Sequence, residues 1–300
     1  MRDNIPRVVF FGSGPVAAKA LELLSVSFNI EAIITKPATI HDMKPNNGMV
    51  PTYAVNNKQE LDLLFADTKF KSPLAILIDF GIIISRGVID YFPLGIINSH
   101  FSLLPEWRGA DPITFAILSG QAQTGVSLML LDEHMDEGLL LAQSVCDISK
   151  DETTPSLTSK LILISDSMLR TVVPLYLDRE VTPISQNQVN IVGNKIPSYS
   201  RKLTKDDGVI DWTKSATQLE REVRAYSEWP RSRTVLANRE VIVINATAND
   251  LAGKPGIVFI NNKQLFVHCG QGSLEIKRLK PAGKSEMPIE AFLAGYQKFL

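Results

Sequence analysis

The feature that most restricts the fold lies at the amino end of the chain. From Arg7 to Phe11 the residues are, Arg7 apart, β-branched or aromatic, Gly12-Ser13-Gly14-Pro15 turns the chain, and residues 16–24 place apolar side chains at helical spacing. A buried-type strand running through a tight glycine turn straight into a helix is the first half of a crossover, which predicts parallel strands rather than hairpins. Further apolar runs at residues 30–35, 74–78 and 95–99 follow, the last two separated by a helical segment around 85–91. The polar stretch 37–51 reads as a long surface loop. Residues 125–131 and 139–145 supply more strands, and 155–177 reads as a long helix opened by Thr154 as its cap. The expected fold is α/β: a Rossmann-like, mostly parallel sheet with helices on both faces.

Beyond residue 181 the character changes. Residues 182–203 lack helical periodicity and hold Pro183, Gly193 and Pro197 among Asn, Gln and Ser, as a linker would. Short apolar runs broken by Asn-Asp, Pro-Gly, Asn-Asn and Gly-Gln-Gly then predict a small β-barrel or sandwich. A chain of 300 residues suits two domains, and the expected division is 1–181, a linker at 182–202, and 203–300. Charge divides with it: up to Val192 there are 14 basic and 21 acidic residues, net −7, and after it 17 and 11, net +6. This asymmetry fits an anionic partner for the second part or ordinary surface charge. Cys146 and Cys269 are too few for a disulfide framework, so a cytoplasmic protein is expected. Residues 112–131, the longest uncharged stretch, are interrupted by Gln, Thr, Ser and Gly, and no membrane span is expected. Arg2, Arg7 and the apolar run after them faintly imitate a signal peptide, but the Gly12–Pro15 turn breaks that run.

Asn98 and His100 stand two apart at the end of a strand and therefore share a face, where open α/β sheets hold ligands. An amide donor for an oxyanion beside an imidazole that passes protons suits addition to a carbonyl. The alternative is a polar strand end with a satisfied histidine. Downstream, Asp132, Glu133, Asp136 and Glu137 crowd a turn around His134, and one of these carboxylates could fix the tautomer of His100. A metal site drawn from His100, His134 and these acids lacks HExxH spacing, and no metal is expected. Gly12-Ser13-Gly14-Pro15-Val16-Ala17 fits GxGxxA, which makes a nicotinamide dehydrogenase a competing enzyme. The following strand ends Ile33-Ile34-Thr35-Lys36 without the acid that would hold a ribose, leaving a tight packing turn as the other reading. Arg108 either faces a ligand or stacks on Trp107. Lys195, Arg201, Lys202 and Lys205, with Arg221, Arg224, Arg231 and Arg233 beyond, could neutralise RNA phosphates or form a solvated basic face.

Asn98-Ser99-His100-Phe101-Ser102-Leu103-Leu104-Pro105-Glu106-Trp107-Arg108-Gly109-Ala110 forms an NxHxSLLPxWRGA block, followed by Thr124-Gly125-Val126 and by Asp136-Glu137-Gly138, a DxG element. In these blocks, and over nearly its whole length, the chain resembles the methionyl-tRNA formyltransferase family. The resemblance implies catalytic roles for Asn98, His100 and Asp136. It also implies 10-formyltetrahydrofolate binding at Ser102, Leu103, Leu104 and Pro105, with Phe80-Gly81 lining the folate pocket. The acceptor is separated from sugar-nucleotide and glycinamide-ribotide alternatives by the second half. There Asp206-Asp207-Gly208-Val209-Ile210-Asp211-Trp212, Val223-Arg224-Ala225-Tyr226, Trp229-Pro230 and residues 274–284 resemble the tRNA enzyme's OB-like domain. Methionyl-tRNA is thus the implied partner of a monomer, contacted through Lys36, Lys44, Arg201, Lys202 and Lys205. Departures are concentrated near the amino end: residues 36–44 lack the paired glycines and most of the basic charge of the family loop, Asp111 replaces a usual Ala, and Gly14 a usual Thr. A sugar-nucleotide formyltransferase and a noncatalytic RNA-binding protein are the rival readings.

Overall fold

The computed structural model describes residues 5–46, 48–188 and 196–299. They gather into two compact units, the first within Met1–Pro112, Gln123–Asp147 and Thr158–Ser200, the second within Ile113–Ala122, Ile148–Leu157 and Arg201–Leu300. Along the chain come β1 (Arg7–Gly12), α1 (Pro15–Leu24), β2 (Asn29–Thr35), β3 (Thr52–Ala54), α2 (Lys58–Asp67), β4 (Leu74–Ile78), α3 (Arg86–Tyr91), β5 (Ile96–His100) and β6 (Arg108–Gly109). They are followed by α4 (Pro112–Ser119), β7 (Gln123–Leu130), β8 (Leu140–Asp147), α5 (Thr154–Leu177) and β9 (Tyr199–Ser200).

Seven strands of the first unit form one sheet in the order β3-β2-β1-β4-β5-β7-β8. The first five run parallel, and β7 and β8 are antiparallel to their neighbours. β1 and β4 read as unbroken apolar runs because both of their faces are covered. Gly12 closes β1 where a Cβ would lie 2.6 Å from both the Phe10 ring and Ala17, so the tight turn is filled by packing between strand and helix. Pro15 then starts α1 at the position where its missing N–H costs nothing. On one face, Phe11 stacks on Phe65 at 5.9 Å and meets Phe80 edge-on at 5.4 Å, binding β1, α2 and the end of β4 into one core.

Three local expectations are corrected. The polar stretch 37–51 contains a short helical turn, Pro37–Thr39, and buries Met43, while β3 begins directly after it. Thr154 is the first helical residue of α5; the cap is Thr153, whose Oγ1 accepts from the Ser156 N–H at 3.4 Å. Residues 182–202 are no solvated tether where they are described. Ile184 exchanges backbone hydrogen bonds of 2.8 and 2.9 Å with Leu140, Gln186 is buried, and β9 pairs with β6. Polarity in a sequence reports which side chains tolerate water, not whether their backbone is paired.

The second unit contains α6 (Ala216–Ala225), β10 (Ser232–Leu236), β11 (Arg239–Asn249), β12 (Val258–Asn261), β13 (Gln264–His268), β14 (Ser273–Pro281), β15 (Met287–Pro288) and α7 (Ile289–Tyr296). Its antiparallel sheet has the order β10-β11-β14-β13-β12, with β15 added to β14. Register shifts between Val243 and Ala246 bend β11. Leu219 and Val223 of α6 and Phe292 of α7 share one core with Val243, Leu265 and Ile276 from the strands. The short, regularly spaced apolar runs predict such an antiparallel β domain, and the family resemblance implies its OB-like form. Among the described residues, no helix is long and apolar enough to cross a membrane.

Candidate active site

β5 carries the sequence Ile96-Ile97-Asn98-Ser99-His100, buried throughout. Alternation sends Ser99 to one face, where its Oγ is 2.7 Å from that of Ser165 on α5, and Asn98 and His100 to the other. Asn98 and His100 are each 7% exposed, so both are held in place yet remain open to a small approaching group. The Nε2–H of His100 donates to the Trp107 carbonyl at 2.9 Å. A carbonyl only accepts, so this contact fixes Nε2 as a donor and leaves Nδ1 as the nitrogen that faces the site.

The acidic turn between β7 and β8 supplies the third group. β7 runs antiparallel to β5, with Leu130 opposite Ile97 and Ser127 opposite His100, so the turn that follows Leu130 must return over the face of β5 to reach these side chains. It does: Asp136 Oδ2 lies 3.7 Å from His100 Nδ1, and Asn98 Nδ2 points at Asp136 Oδ1 from 3.4 Å. The Gly109 N–H donates to Asp136 Oδ2 at 2.7 Å and sets the carboxylate's orientation. Asp136 adopts φ 55°, a left-handed conformation that Asp tolerates better than most residues. Gly138 is required two residues on, because a Cβ there would lie 1.8 Å from the Leu130 carbonyl oxygen. An amide, an imidazole with one free nitrogen and a carboxylate therefore converge, a set able to stabilise an oxyanion and relay a proton.

Other expected residues are placed as follows. Ser102, Leu103, Leu104 and Pro105 are buried, and their loop is tied internally. Ser127 Oγ accepts from the Leu104 N–H at 3.0 Å and donates to the Ser102 carbonyl at 2.6 Å, while Gln143 Nε2 donates to the Leu104 carbonyl at 2.8 Å. Phe80 turns its ring into the core against Phe11 and is 1% exposed, whereas Gly81 beside it is exposed. Lys36 Nζ donates to the Gly81 carbonyl at 3.1 Å, and Lys44 is exposed. Lys202 and Lys205 are exposed, whereas both terminal guanidinium nitrogens of Arg201 are engaged by Asp207. Hydrogen bonds from Arg201 and Thr204 hold the Asp207 carboxyl well below the usual carboxylate range. Arg108 is buried, with Nη1 on Glu137 at 2.7 Å and Nη2 on Gln186 at 2.8 Å, and its guanidinium carbon lies 6.0 Å from the centroid of the Tyr199 ring. His134, the second histidine of the metal alternative, is exposed in the acidic turn.

The residues that sequence reading passed over are Gln186, Ser127 and Gln143. Each is a lone polar side chain with no spacing pattern, and only its partners reveal it.

Comparison with known proteins gives the same assignment twice over. Residues 9–173 match the formyl transferase family and residues 202–297 the formyl transferase C-terminal domain. A methionyl-tRNA formyltransferase from Myxococcus xanthus (strain DK1622) is 34% identical over 97% of this chain and 96% of its own length. One from Pseudoalteromonas translucida (strain TAC 125) is 31% identical, over 96% and 94%. Among solved structures, a HypX variant from Aquifex aeolicus superimposes with a TM-score of 0.65 at 16% identity, over 98% of this chain. The chain spans about half of that longer protein (49%), and the likeness concerns the fold. With both of its parts matched and near-complete coverage of the curated relatives, this chain belongs to the formyl transferase family.

Proposed function

We propose that the protein transfers the formyl group of 10-formyltetrahydrofolate to the α-amine of methionyl-tRNA. The observation that supports this most is the meeting of Asn98, His100 and Asp136 on one face of β5, at 3.4 and 3.7 Å, in a chain that matches both parts of the family. In this reading the neutral amine attacks the formyl carbon, forming a tetrahedral intermediate whose oxyanion accepts hydrogen bonds from Asn98 Nδ2 and from the Nδ1–H that His100 carries as an imidazolium. Collapse breaks the bond between the formyl carbon and the folate N10. The proton lost by the amine is taken up through Asp136, and His100 returns one to N10, so no net proton leaves the site. A positioned oxyanion donor is typically worth about 3 kcal/mol.

Residues 102–105 and the Phe80-Gly81 backbone are assigned to the folate. The second unit, with Lys202, Lys205 and Arg201, is assigned to the tRNA, assisted by Lys36 and Lys44. For Arg201 this requires a phosphate to share or displace Asp207. The protein acts as a cytoplasmic monomer in this reading. The test is incubation with 10-formyltetrahydrofolate and methionyl-tRNA, followed by assay for formylmethionine, with deacylated tRNA and a UDP-amino sugar as parallel acceptors. Formylation of the amino sugar but not of methionyl-tRNA would replace this reading with the sugar-nucleotide one, and tRNA binding without release of tetrahydrofolate would replace it with a noncatalytic one.

A further inference from the structure

We infer that Gln186 is a positioning residue for formyl transfer, holding the Asp136 turn through its backbone so that the carboxylate faces Asn98 and His100. This rests on the reading of Asp136 given above. Gln186 is 5% exposed, and its amide is fully used: Nε2 donates to the carbonyls of Asp136 and Gly138 at 2.8 and 3.0 Å, and Oε1 accepts from Arg108 Nη2 at 2.8 Å. Only this orientation of the amide works, because the flipped one would set oxygen against two carbonyls and NH2 against a guanidinium. Arg108 clamps the same turn from its other side through Glu137, at 2.7 Å. The backbone of Gln186 is itself fixed two residues earlier by the pairing of Ile184 with Leu140.

Such a clamp has something to hold. Asp136 sits at φ 55°, a left-handed conformation that is unfavourable for a residue with a side chain, and a turn released from that geometry would swing its carboxylate away from His100. A leucine would fill the same volume without needing three polar partners, so the buried amide contributes orientation rather than packing. Gln186 hydrogen-bonds the backbone of this turn, and acts on the carboxylate through the two carbonyls.

The test compares the full-length wild type with Gln186→Ala, Gln186→Glu and Asp136→Asn in the methionyl-tRNA formylation assay across pH. Gln186→Ala is expected to lower kcat about 10- to 100-fold, with KM for both substrates within about twofold, as for a group displaced by about an ångström. Gln186→Glu is nearly isosteric and reports through pH. As a carboxylate it repels the Asp136 and Gly138 carbonyls; once protonated it donates to one of them again. The charged and titratable groups facing it are Arg108, and across that guanidinium Glu137 and the Tyr199 hydroxyl. The ratio of Gln186→Glu to wild-type kcat is therefore expected to rise about fivefold or more as pH falls from about 8 to about 5.5. A Gln186→Ala kcat within about twofold of wild type, or a Gln186→Glu ratio that is flat across that range, overturns the inference. Asp136→Asn separates the two levels. If it loses turnover while the Gln186 variants do not, the positioning role alone falls; if it keeps wild-type turnover, the reading of Asp136 falls and the role of Gln186 with it.

Discussion

Replacing Asn98 with Ala removes a group that, on the proposed mechanism, is nearly idle in the resting protein and heavily used in the transition state. Its hydrogen bond within the catalytic cluster, Nδ2 to Asp136 Oδ1 at 3.4 Å, is longer than a good one. Deleting it and leaving a small void on a strand end should destabilise the fold by about 1 kcal/mol. For a unit of this size that is a fall in melting temperature of roughly 2–4 °C. Loss of an oxyanion donor acts on the barrier instead, by about 3–4 kcal/mol, or roughly 100- to 1,000-fold in kcat. Single-turnover quench measurements with saturating 10-formyltetrahydrofolate and methionyl-tRNA isolate this term, because product release does not enter. Thermal melts of the same preparation supply the fold control. An Asn98→Ala protein that melts within a few degrees of wild type and formylates within about tenfold of its rate would show that the oxyanion is held by something else.

Three further outcomes follow from the geometry. Gly138→Ala must displace the Leu130 carbonyl, 1.8 Å from the new methyl, and is expected to destabilise by about 3 kcal/mol and lower turnover, by denaturant titration and activity assay. Burial and the Asp111 carboxylate push Asp79 up to about 6 against the opposing pull of Lys36. A carboxyl raised in the folded state withdraws stability as pH climbs through 6, so Asp79→Asn should be the more stable protein at pH 8, by no more than about 1 kcal/mol because solvent reaches the carboxylate, and equal to wild type below about pH 4. Asp207 has the opposite sign: its lowered pKa contributes stability that is complete above the ordinary carboxylate range and lost as pH falls below about 4. Asp207→Asn should therefore cost about 1 kcal/mol at pH 7, discounted because Arg201 is well exposed, and flatten the acid limb of the stability curve.

Much of this molecule could be read from local pattern because local physics produced it. Residues 7–24 announced a strand, a turn and a helix, since burial on both faces of β1 demands an apolar run and the Phe10 and Ala17 contacts demand a glycine. Asn98 and His100 share a face because alternation along a strand is a rigid rule. Asp136 was harder: its turn announced charge, but its arrival at His100 depends on β7 being antiparallel to β5, which no short window reveals. Gln186 was invisible for a related reason. It lies 50 residues from Asp136 and is joined to it only by two hydrogen bonds, in a stretch whose Pro, Asn and Ser content pointed to a tether. Arg108 fell between, conspicuous as a buried-block cation but unreadable without the Glu137 and Gln186 partners that explain it.

The knot of Ser127 and Gln143 around residues 102–105 has a consequence for encounter kinetics. A docking partner that rests against this stretch finds the Ser102 carbonyl and both peptide groups of Leu104 already hydrogen-bonded, so little disorder has to be surrendered on contact. Recognition there would be governed by fit to a hard edge, fast to test and unforgiving of misshapen visitors, in the manner of a gauge rather than a glove.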